Sequence, residues 1–104
     1  MPRIPTIGML FQEFQSGIGS NKPAKSFTSY DRGKNRYVYS RRKVFWDLMV
    51  KLIEEGYSST SALTNIDVVY GYGGASVSKI ISRIRKDAKE SYKIFYERYP
   101  INGR

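Results

Sequence analysis

A chain of 104 residues with 40% hydrophobic and 14% aromatic side chains has the apolar content to fold as one small domain, 1–104, and no room for a second. It carries 18 Lys and Arg against 9 Asp and Glu, a net charge of +9, with neither His nor Cys. The two absences exclude a disulfide framework, a zinc finger, and serine or cysteine catalysis relayed by histidine. No apolar run reaches the ~18 residues of a membrane span, and Met1-Pro2-Arg3-Ile4-Pro5 lacks the apolar stretch of a signal peptide, so an intracellular protein is expected.

Ile7, Leu10, Phe11 and Phe14 form one apolar stripe and predict a first helix over about 5–16, capped by Thr6 and stopped at Gly17-Ile18-Gly19-Ser20. Residues 20–39 lack helical periodicity and read as a long irregular basic loop, with an extended piece at Arg36-Tyr37-Val38-Tyr39. A loop of that length in so small a domain is often functional. Ser40 then reads as the N-cap of a second helix. Val44, Phe45, Leu48, Met49, Leu52 and Ile53 fill one face up to Gly56, and Trp46 and Val50 widen it, which makes this helix central.

Ser58-Ser59-Thr60-Ser61 offers caps for a third helix carrying Ala62, Leu63, Ile66, Val69 and Tyr70, closed by Gly71-Tyr72-Gly73-Gly74. That glycine-rich stretch has neither the preceding strand nor the Lys-Ser/Thr of a phosphate loop and is read as a turn. A fourth helix begins at Ala75 or Ser76, with Val77, Ile80, Ile81, Ile84 and Ala88 on its packing face. Its opposite face carries Lys79, Ser82, Arg83, Arg85, Lys86 and Lys89, and the pattern Tyr92, Ile94, Phe95, Tyr96, Tyr99 extends it to Pro100. The expected fold is all-α: a compact four-helix domain with a helix-turn-helix-like C-terminal half and a long basic loop between helices 1 and 2.

The charge is unevenly placed. Residues 1–21 balance Arg3 against Glu13, and residues 22–51 hold nine cations against Asp31 and Asp47, net +7. Residues 52–78 contain no cation but Glu54, Glu55 and Asp67, net −3, and residues 79–104 return to net +5. A solvated, solubilising surface is the bland explanation. Two basic blocks around a neutral hydrophobic segment instead suggest one docking face assembled by folding, with phosphate polyanions as first partners, ahead of anionic membranes and acidic proteins.

The densest feature is Arg32-Gly33-Lys34-Asn35-Arg36-Tyr37-Val38-Tyr39-Ser40-Arg41-Arg42-Lys43, with six cations, two tyrosines and no acid. Three cations at a helix start oppose the helix dipole unless an anion docks there. Arg36, Arg41, Arg42 and Lys43 are thus expected on phosphates, joined by Lys34, the Ser40 hydroxyl, Tyr37 and Tyr39. As a string it also resembles a nuclear-localisation signal. The basic face of the fourth helix, with Lys79, Arg83 and Lys86, is the second candidate surface, though an ordinary surface helix of a basic protein looks alike. Tyr57, Tyr70 and Tyr92 are assigned to packing. Asp31, Asp47 and Asp67 are scattered, so no metal, cofactor or catalytic set is expected.

The order of Arg3-Ile4-Pro5-Thr6-Ile7, Phe14, Gly17-Ile18-Gly19, Pro23 and Tyr39-Ser40-Arg41-Arg42-Lys43 resembles the C-terminal DNA-binding domain of the fungal transcription activators of glycolytic genes and their osmostress-related relatives. The resemblance spans roughly 3–88. It departs at Tyr30-Asp31-Arg32, where the family has Trp-Arg, and in the aromatic tail 92–99. It implies sequence-specific binding of double-stranded DNA, a nuclear location, and a role in a transcription regulator or chromosome-associated protein. An RNA-binding accessory protein using the basic-aromatic loop, or the non-catalytic DNA-binding part of a recombinase, are the alternatives.

Overall fold

In the computed structural model, which describes residues 1–101, every regular element is helical. The elements are α1 (Ile7–Gln15), a 3-10 turn (Ala24–Ser26), α2 (Ser29–Lys34), α3 (Arg36–Glu54), α4 (Ser59–Tyr70), α5 (Val77–Ala88) and α6 (Lys93–Arg98). The all-α expectation holds, but the helices among the described residues number six rather than four. Both extra helices have local causes.

The first lies inside the expected loop. Thr28 and Asp31 form a reciprocal capping box: the Thr28 hydroxyl accepts from the Asp31 N–H at 3.2 Å, and the Asp31 carboxylate accepts from the Thr28 N–H at 2.9 Å. Two of the orphan N–H groups at the start of α2 are thereby satisfied. Lys22 also pairs with Asp31. That ammonium, followed by the Thr28 N–H and hydroxyl, holds the carboxyl at about 2, below its ordinary 3.8.

Only Asn35 separates α2 from α3, which starts at Arg36. The expected extended piece at 36–39 is therefore helical, and Ser40 lies a turn inside the helix rather than capping it. Tertiary packing overrides the strand preference of Tyr and Val here. Tyr39 stacks on Phe27 at 5.8 Å and meets Trp46 edge-on at 5.4 Å, contacts that a helical backbone delivers and an extended one would not.

The 19 residues of α3 make a rod about 28 Å long, and it packs against α1, α2, α4 and α5. Phe45, Trp46, Leu48, Met49 and Leu52 are its buried face. The Trp46 indole donates to the Leu10 carbonyl at 2.9 Å, so the largest core side chain also leaves no polar atom unpaired. α1 is capped by Thr6, whose hydroxyl accepts from the Met9 N–H, and the chain leaves it through Gly17 with φ +82°. A Cβ at Gly17 would collide with the Asn21 carbonyl, so only glycine makes this exit. Ser58 and Ser76 cap α4 and α5 in the same manner as Thr6.

The second extra helix comes from a break. α5 stops at Ala88, and Ser91 and Tyr92 take left-handed φ values of 55° and 59°, which turn the chain back as α6. The aromatic tail thus folds over the core instead of prolonging α5, with Phe95 fully buried. Asp87, 2% exposed, is the hinge pin of this turn. Its carboxylate accepts from the Tyr70 hydroxyl at 2.6 Å and from the N–H groups of Ile94 and Phe95 at 3.0 and 3.1 Å. It therefore caps α6 from the preceding helix. Burial pushes the Tyr70 phenol up, and the Asp87 carboxylate raises it further.

Candidate nucleic-acid interface

The basic string of 32–43 is dispersed by the helical geometry of α2 and α3. Lys34 ends α2 and is exposed. Arg36 lies over the Tyr37 ring, 4.8 Å from its centroid, and donates to its hydroxyl at 3.0 Å. Tyr37 itself is 74% exposed, so this pair projects into solvent. Tyr39 is half-buried in the aromatic cluster and does not. Ser40 is exposed on the second turn of α3. The helix-start argument for an anion at Ser40 therefore falls: the free N–H groups lie a turn upstream, and Arg41, Arg42 and Lys43 are interior to the helix.

The three consecutive cations meet three different fates, because successive residues on a helix point about 100° apart. Arg41 is exposed and donates to the Ser78 hydroxyl at 3.1 Å, linking α3 to the start of α5. Arg42 turns inward. Its Nη1 reaches both oxygens of Glu13 at 2.7 and 2.6 Å, and its Nη2 reaches the Pro2 carbonyl at 2.7 Å. With side chains only 13% and 5% exposed, Arg42 and Glu13 form an internal pair that is not offered to a phosphate. Lys43 pairs with Asp47 one turn on, an exposed contact that a stronger anion can displace.

α5 buries Ile80, Ile81 and Ile84 and exposes Ser78, Lys79, Ser82, Arg85, Lys86 and Lys89. Among the described residues neither Lys79 nor Lys86 has an ion-pair partner. Arg83 does not join them. Its guanidinium donates to the carbonyls of Tyr70 and Tyr72 at 2.9 and 3.0 Å and stacks 3.8 Å from the Tyr72 ring centroid. It satisfies carbonyls left open at the end of α4 and fixes the turn over residues 71–76. The expected contact residue is a clasp between α4 and α5.

α3 packs against α5, and the Arg41–Ser78 contact sets Arg41, in the basic stretch 22–51, beside the residue that precedes Lys79, the first cation of the second basic stretch. Three residues that sequence reasoning passed over belong here: Arg3, Ser78 and Glu13. Arg3 sits in a charge-neutral stretch and shows nothing in the pattern. Glu13 did leave a signal, because an acid three residues after Leu10 and one before Phe14 lies on the apolar stripe and needs a buried partner. Asp87, three residues after Ile84, is the same kind of signal.

Among the described residues no helix is long and apolar enough to cross a membrane, and no three His, Cys, Asp or Glu side chains gather as a metal site. No family model matches the chain, and neither does any curated protein or solved structure.

Proposed function

We propose that this domain binds double-stranded DNA sequence-specifically, without catalysis, as the DNA-binding part of a nuclear transcription regulator or chromosome-associated protein. The observation that carries the reading is the packing of α3 on α5, where the contact of Arg41 with Ser78 sets the first basic block beside Lys79, the start of the second. A split cationic face on two crossing elements suits a duplex, whose phosphates flank a groove. In this reading α4, the 71–76 turn and α5 act as a helix-turn-helix-like unit. Lys79 and Lys86 hold phosphates, and the short side chains of Ser78 and Ser82 let α5 approach base edges. The resemblance of the Tyr39–Lys43 string to the fungal activator domains belongs to the same proposal.

The exposed Arg36–Tyr37 pair favours one second reading, stacking on unpaired bases of RNA or single strands. Selection of bound duplexes from a random pool, with competition by duplex RNA and single strands, tests both. A recovered duplex motif, with binding falling by orders of magnitude between low and moderate salt, is the expected result. Salt-independent binding, or preference for single strands, would overturn it.

A further inference from the structure

Residues 1–6 form no regular element, yet they are anchored at both ends of a short arm. The Pro2 carbonyl accepts from Arg42, which Glu13 holds in place, and Ile4 is buried in the core at 6% exposure. Arg3 stands between these anchors and is exposed. It borders an open cleft of about 680 Å³ between the arm, α3 and α5. Its apolar lining is Ile4, Pro5, Val38, Val77 and Ile81, and its polar lining is Arg3, Arg41, Arg42, Ser76 and Ser78. No carboxylate lines it; of its three arginines Arg42 is paired with Glu13, whereas among the described residues Arg3 and Arg41 have no ion-pair partner.

We propose that Arg3 and Arg41 form a two-arginine clamp for one phosphate group, occupied in the complex by a phosphodiester of the DNA backbone. Two guanidinium forks and two hydroxyls match the several acceptor oxygens of a phosphate better than a single carboxylate. Low-dielectric walls beside like charges focus the field on the anion. The apolar lining is suited to the adjoining deoxyribose. Arg42 and Glu13 are positioning residues: the Arg42 guanidinium, though at the cleft, is taken up by Glu13 and the Pro2 carbonyl, which fixes the arm and spares the cost of ordering its backbone when Arg3 meets the phosphate. The phosphate chemistry stands on the cleft alone; only its source in DNA rests on the function proposed above.

The test uses the full chain and two probes, inorganic phosphate and a selected duplex. NMR follows the guanidinium Nε–Hε signals of Arg3 and Arg41 while phosphate is added, and salt titration measures the slope of log affinity for the duplex. Saturable shifts at both arginines are expected, abolished at Arg41 by Arg3→Gln and unaffected by Lys93→Gln on α6. Arg3→Gln is expected to reduce the salt slope by about one phosphate. A duplex that binds with the same slope in Arg3→Gln, with no phosphate shifts, overturns the clamp and leaves DNA binding standing. Phosphate shifts in a protein that ignores duplex support the clamp and remove DNA as its source. Silence toward both probes overturns both ideas.

Discussion

Arg42 and Arg41 are neighbours in one basic string, and the structure predicts opposite consequences for losing them. Arg42→Gln leaves the Glu13 carboxylate, 5% exposed at its side chain, without the Nη1 donor shared by its two oxygens and frees the Pro2 carbonyl. Removing one member of a buried pair costs about 3–5 kcal/mol. The Arg42 side chain retains 13% exposure, which places the expectation at the lower end, about 3 kcal/mol. For a domain of this size, with an m-value of about 1 kcal/mol/M in urea, the unfolding midpoint falls by about 3 M. The corresponding drop in Tm is roughly 15 °C. The double variant Arg42→Met with Glu13→Leu removes both charges and recovers most of the loss. Arg41→Gln, exposed at the cleft, shifts stability by less than about 0.5 kcal/mol but reduces the salt slope for duplex DNA by about one. Urea unfolding followed by Trp46 fluorescence and salt-dependent binding on the same samples give the comparison. If Arg42→Gln were as stable as the parent while losing salt dependence, Arg42 would be a phosphate contact and not the partner of Glu13.

Three further outcomes are expected. Asp87→Ala strips acceptors from the Tyr70 hydroxyl and from two N–H groups of α6, costing about 3 kcal/mol, whereas Tyr70→Phe loses one bond and costs about 1 kcal/mol; equal losses in urea unfolding would contradict the capping role. Ser91→Gly relieves a left-handed residue at φ 55° on the surface and stabilises by about 0.5–1 kcal/mol, and a lower Tm would count against strain at the α5–α6 turn. The Asp31 carboxyl is held at about 2 rather than 3.8 by Lys22 and Thr28, so its support of α2 is fully present above the ordinary carboxylate range. That support is lost as pH falls toward 2. Carbon-detected titration of Asp31 with a midpoint near 4 would disprove the capping box.

The elements whose residues carry their own signals were legible in the chain. Thr6 caps α1 as its place before an apolar stripe indicates, Ser58 is the one of the four candidates at 58–61 that caps α4, α5 starts at Val77 beside the expected Ala75 or Ser76, and Gly17 and Gly56 follow helix ends with positive φ. The start of α3 was not legible, because Ser40 is an equally good cap in isolation. Only the docking of Tyr39 between Phe27 and Trp46 makes residues 36–40, five more than expected, helical. The end of α5 was hidden for a similar reason: the aromatic tail keeps helical periodicity across Ser91 and Tyr92, and its reversal depends on Asp87 receiving N–H groups from beyond the turn.

For the candidate site, composition and charge order alone determined that the domain is basic and free of thiol and imidazole chemistry, with two cationic blocks around an acidic middle. These are sums over residues, and sums do not depend on where side chains point. Which cation is offered to a partner is a question of direction and distance. Tertiary structure alone decided that Arg42 is spent on Glu13, that Arg83 clasps the turn after α4, and that Arg41 and Arg3 share an open cleft. The physical reason is the 100° step of the helix, which sends adjacent arginines to opposite environments, together with the low tolerance of a buried carboxylate for being left alone.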